Sequence, residues 1–118
     1  MKHVSKANRS RVIRLVETQE GIPGPAGERS VMALKRGTLD IALSVPLRLN
    51  EQVPHAQDEI YFILRGRGVL VHNSTRDSFE SGDLLFVAAG TEHQFEEITE
   101  DFALWRVFYG PNGGDVSA

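Results

Sequence analysis

Residues 54–68 read PHAQDEIYFILRGRG. Ile60 to Leu64 is an unbroken run of β-branched, aromatic and other apolar residues, which favours a strand. Pro54 before it and Gly66 and Gly68 after it close the run off, so a helix would have nowhere to extend. His55 and Glu59 stand four apart at its entrance. That spacing would put both on one face of a helix. In a straight strand it leaves them on the same face but roughly 13 Å apart, at about 3.3 Å per residue. Only a bend at Ala56-Gln57-Asp58 lets both reach one point: His55 would end one strand, Glu59 begin the next, and both face a common cavity.

Outward from this stretch the chain repeats the same grammar. SVMALKRG, LDIALSVPLRL, GVLVHN, DLLFVAA, HQFEEI and FALWRVFYG are short runs rich in β-formers, each bounded by Gly, Pro, Asn, Asp or Ser. Such spacing predicts an all-β antiparallel sandwich or barrel. Ser10 to Gln19 carries Val12, Ile13, Leu15 and Val16 and reads as either a short helix or an edge strand. GIPGPAGE (Gly21 to Glu28) is a loop. The expected organisation is an N-terminal segment and loop over 1–28, a barrel over 29–110 and a loose tail over 111–118.

Composition narrows the function classes. The chain has 118 residues, net charge -3 and no cysteine. One domain is expected. Nothing basic enough for nucleic acid or an anionic membrane is present, and no apolar run reaches the roughly 20 residues of a membrane span. Disulfides, thiolate metal sites and a cysteine nucleophile are excluded. A cytoplasmic protein fits, with an N-terminus that lacks the apolar core of a secretory signal.

A second polar spot lies in GDLLFVAAGTEHQF (Gly82 to Phe95), where His93 follows a turn at Ala89-Gly90-Thr91. If both stretches belong to one sandwich, His93 faces the cavity opposite Glu59. Two imidazoles and a carboxylate with open positions form a facial site for a divalent transition metal.

These two stretches resemble the paired motifs of the cupin superfamily, small antiparallel β-barrels of jelly-roll type. Glu59 followed by Gly66, with His55 where a second histidine belongs, matches the first motif. Gly82, Gly90 and His93 match the second. The likeness runs from Thr38 to Tyr109. It implies a mononuclear site of His55, Glu59 and His93 for Fe, Mn, Zn or Ni. The chain departs from the pattern at Val53, which replaces the first histidine, and at Ala88 and Glu97, which replace a proline and an asparagine. The site is therefore one ligand short; Gln57, Gln52 or water could complete it, and a protein without metal is the other outcome.

Taken singly, His55, Glu59 and His93 would be ordinary exposed residues at loop ends; the motif spacing tips them toward ligands. Tyr61 shares a face with Glu59 by alternation, as a core tyrosine or a proton donor. Phe95 and Trp105 read as core or as pocket walls, and His3 and His72 as surface. Three functions compete: a metal-dependent dioxygenase, isomerase or lyase on a small molecule, a small-ligand sensor without turnover, and a degenerate module for association. Because both faces of Ile60 to Leu64 are apolar, one needs a second cover, and a homodimer is expected.

Overall fold

The computed structural model describes residues 9–46 and 54–116. A five-residue helix, α1 (Leu15–Gln19), precedes eight strands. These are β1 (Ser30–Arg36), β2 (Leu39–Ser44), β3 (Asp58–Arg65), β4 (Arg67–His72), β5 (Thr75–Glu80), β6 (Leu84–Val87), β7 (His93–Glu96) and β8 (Ala103–Tyr109). They form two antiparallel sheets, one ordered β1-β2-β8-β3-β6 and the other β5-β4-β7. Within Ser10 to Gln19, Leu15–Gln19 is helix and no residue is strand, and β5 is a strand outside the runs rich in β-formers.

Alternation assigns the faces. On β3, Glu59, Tyr61 and Ile63 point inward and are at most 6% exposed, while Phe62 between them is 43% exposed. Register carries this across the sheet, since antiparallel partners share a face. Tyr61 stands opposite Leu85 of β6 and Arg106 of β8, and Arg106 opposite Ala42 of β2. Between the sheets, Tyr61, Ile63, Val87 and Leu104 pack on Leu70, Phe79 and Phe102, with Phe95 alongside. Phe102 is fully buried and its ring lies 5.4 Å from Phe95 and 5.6 Å from Phe79. Removing a side chain so enclosed costs about 3–5 kcal/mol.

The outer face of the larger sheet has two halves. Leu43, Val45 and Ala103 are covered by Leu15 of α1 and Ile22 of the loop after it, together with Leu64 and Trp105. The other half leaves Phe62, Leu84 and Phe86 exposed. The second apolar face of β3 is thus covered only in part by the N-terminal segment.

Two turns fix the path near the interior. Gly66 alone joins β3 to β4 with φ +84°, and a Cβ there would come within 2.9 Å of the Phe102 Cα, so both backbone conformation and space demand glycine. Asn73 and Ser74 link β4 to β5 with φ 45° and 70°, the paired positive values of a two-residue hairpin turn. The C-terminal stretch, expected as a loose tail, is hydrogen-bonded to the barrel: Gly113 N donates to Ala56 O at 2.7 Å and Asp115 N to Asp58 Oδ2 at 2.9 Å.

Candidate metal centre

Three side chains meet at one end of the interior. Ligand atoms of His55, Glu59 and His93 all lie within 4.8 Å of one another. Each arrives by a different route. Glu59 is delivered by β3, His93 by the start of β7 in the opposite sheet, and His55 by the irregular segment before β3, which bends at Ala56-Gln57. His55 does not end a strand as the sequence reading had it; the bend it required is present. Its carbonyl accepts from Gly90 N at 2.8 Å, which ties the first motif stretch to the turn that introduces His93. Gly90, at φ +78°, supplies the left-handed residue that this turn needs.

The protonation pattern is informative. His93 Nδ1 lies 2.9 Å from the Thr91 carbonyl, so it carries a proton and donates it. Its Nε2 faces Glu59 Oε1 at 3.1 Å and the Tyr61 hydroxyl at 3.0 Å. In the neutral ring Nε2 bears a lone pair, which accepts from the tyrosine but repels the carboxylate. Either a proton or a cation must stand between them. Burial works to lower the His93 pKa, but hydrogen bonding to Glu59 and Thr91 outweighs it and the net direction is up. His55 goes down, because burial, with His93 and Arg106 nearby, prevails over the pull of Glu59. Burial and the neighbouring carboxylate hold the Tyr61 phenol well above its ordinary value, so it stays protonated.

The fit to a metal rests on Glu59. It is 1% exposed, and apart from His93 Nε2, 3.1 Å from Oε1, and the neighbouring Tyr61 hydroxyl its buried oxygens meet no donor among the described residues. A buried carboxylate left this way costs several kcal/mol; a divalent ion answers it. A tautomer locked through Nδ1 with Nε2 turned to the centre is also how a histidine is held for metal binding. The donor set, two nitrogens and an oxygen, suits Fe, Mn, Zn or Ni.

Other residues expected at the site fall elsewhere. Gln57 Nε2 donates to Thr38 O at 3.0 Å and Gly110 O at 2.9 Å, making it a strut between β1–β2 and the C-terminus. Gln52 and Val53 lie outside the described residues, as does His3. Phe95 sits in the aromatic cluster, 4.9 Å from the Tyr61 ring, a wall beneath the tyrosine. Trp105 is not a wall of the interior: β8 turns Leu104 and Arg106 inward and Trp105 outward, against Leu64 and the N-terminal segment. His72 pairs with Asp77 at 2.7 Å on the exposed hairpin. The reading missed Phe108, whose ring packs 4.6 Å from His55, and Arg106, whose guanidinium carbon lies 4.5 Å over that same ring. A lone charge inside the apolar run FALWRVFY was the available signal.

The sequence profile of the Cupin domain matches residues 48–108, more than half of the chain. The chain belongs to the cupin family. An uncharacterized protein of Streptomyces coelicolor is 35% identical to this cupin over 79 residues, 67% of this chain and 66% of that one. The chain therefore spans just under two thirds of that relative's length. A solved cupin superfamily protein of Desulfitobacterium hafniense superposes with a TM-score of 0.60 at 18% identity, over 68% of this chain and 74% of that one. The DMSP lyase DddQ of Ruegeria pomeroyi superposes with 0.60 at 20% identity, over 69% of this chain and 46% of that one. At these identities the two structures establish the barrel and nothing of the reaction. No helix among the described residues is long and apolar enough to cross a membrane.

Proposed function

We propose that this cupin holds one divalent transition metal on His55, Glu59 and His93 and is a metal-dependent enzyme of the dioxygenase, isomerase or lyase type acting on a small molecule. The observation that carries the reading is the convergence of His55, Glu59 and His93, with the buried Glu59 carboxylate set 3.1 Å from His93 Nε2. When bound, such an ion supplies Lewis-acid or oxygen-binding chemistry. The chain's own contributions are separable. Thr91 fixes the His93 tautomer, Phe108 steadies the His55 ring, and the interior packing of Tyr61, Val87 and Phe95 excludes water beneath the centre. Tyr61, protonated and within hydrogen-bond reach of the centre, is the proton donor. Elemental analysis of protein purified without added metal, repeated on His93→Ala, tests the reading. About one equivalent in the wild type and none in the variant is expected; no metal in either, with none taken up on titration, would overturn it.

A second reading is a small-ligand sensor without turnover. It is favoured by the Tyr61 hydroxyl, which satisfies His93 Nε2 without any ion. A ligand that raises the melting temperature and is recovered unchanged would select it. Either protein would work as a homodimer through the exposed half of the outer face, where Phe62, Leu84 and Phe86 are 43%, 54% and 54% exposed.

A further inference from the structure

Arg106 holds no part of the centre, yet it sits in the interior. Register places it between Ala42 of β2 and Tyr61 of β3, on the face that carries Leu104. A guanidinium offers five N–H donors and is costly to bring among apolar strands unless they are met. One of them reaches Asp40 Oδ1, from Nη2 at 3.1 Å. The other Asp40 oxygen lies 3.7 Å from Lys35 Nζ, so this carboxylate is shared. The Arg106 Nε atom is buried and has no partner among the described residues.

Its surroundings give that unmet donor a direction. Arg106 and His55 lie against the same Phe108 ring. The guanidinium and the candidate centre are therefore neighbours at one ring. The charges of Lys35, Asp40, Arg106 and Glu59 cancel. A divalent ion would therefore leave two positive charges for its ligand to answer. The Arg106 side chain is 27% exposed although its Nε is buried, so an entering molecule meets the Nη end of the guanidinium.

We propose that Arg106 is the specificity-determining residue of this interior and that the ligand is a small organic acid. Its carboxylate takes the Nη hydrogens that Asp40 leaves free, while a further oxygen of the ligand faces His55, Glu59 and His93. The planar fork of arginine matches a carboxylate where a lysine ammonium does not. Asp40 is then the internal anion that holds Arg106 in place and competes mildly with the ligand. This inference rests on the metal-centre reading for the orientation of the ligand but not for its carboxylate anchor.

The test is calorimetric titration of the full chain, loaded with Mn²⁺ and, separately, stripped with EDTA. The probes are propionate, lactate, succinate and glutarate, each against its amide. At least one acid is expected to bind the loaded protein at least tenfold tighter than its amide. Arg106→Lys should weaken that acid tenfold or more with Mn²⁺ affinity unchanged, and Asp40→Asn should bind it as tightly as wild type or tighter. If Mn²⁺ does not bind, the metal-centre reading falls, and Arg106-dependent binding of an acid to the stripped protein still supports the anchor. Acid and amide binding alike, Arg106→Lys binding the acid as wild type does, or no acid binding in either form would overturn it. The acid–amide comparison is made on the wild type, so it stands even where an Arg106 variant fails to fold.

Discussion

The Tyr61 hydroxyl and His93 Nε2 stand 3.0 Å apart, on strands of two different sheets. The phenol donates to the lone pair that a metal would use, so it is a rival of the ion and not a ligand. Tyr61→Phe should cost the metal-free protein about 1 kcal/mol, the net worth of one buried hydrogen bond, measured by urea denaturation. Zn²⁺ affinity should hold or rise. A tenfold loss of affinity would mean that the phenol helps to hold the ion.

Metal binding should be steeply pH-dependent. The His93 pKa lies above 6.5 in the fold, so its proton stabilises the metal-free protein fully below pH 6.5, and that contribution is lost as pH rises through the raised value. An ion must displace this proton. The melting temperature in EDTA should therefore fall on going from pH 6 upward, while the increment from added Zn²⁺ should grow. Glu59→Gln should abolish the increment. An increment that stays flat across this range would refute the shared-proton picture.

Asp58 should act as an acid-sensitive tether. Its carboxylate accepts from Ala89 N and Asp115 N, both at 2.9 Å. These bonds, Asp115 first, depress its pKa below 3.8. The sign follows: the tether is intact above the unfolded value and is lost as pH falls through the folded one. Asp58→Ala should abolish the exchange protection of the Ala89 and Asp115 amides at neutral pH, read by hydrogen exchange. Unchanged protection would show that the C-terminal stretch is held by other contacts.

Glu97 occupies φ +53°, a left-handed conformation that asparagine adopts more readily than glutamate. Its partner Arg76 also binds Glu96, at 2.7 Å, so the second ion pair is expendable. Glu97→Asn should raise stability by up to about 1 kcal/mol. A fall of that size would show that the Arg76 pair dominates.

Much of the barrel was legible because short runs of β-formers are closed off by turn residues, as Ile60 to Leu64 is by Pro54 and Gly66. His55, Glu59 and His93 were legible for another reason, the intervals of two motifs, which carry information on bends that such runs lack. β5 was not: of Thr75 to Glu80 only Phe79 is buried, so hydrophobicity leaves almost no trace of it. The better signal was the Asn73-Ser74 turn, which returns the chain alongside β4. The glycines of the C-terminal stretch said nothing of Asp58, whose hold on it spans more than fifty residues of sequence. Arg106 was hidden by its neighbours, since Trp105 and Phe108 make the run read as plain core.

Glu59 comes from the larger sheet and His93 from the smaller. An ion gripped by both would be a rivet through two leaves, joined in the chain beside it by the β6–β7 turn through Gly90. Prising the leaves apart would then mean surrendering the rivet, and free ion in the medium would push the leaves closed again. Durability would become a property of the surroundings as much as of the chain: the melting temperature should climb with the logarithm of free metal concentration once the site is saturated.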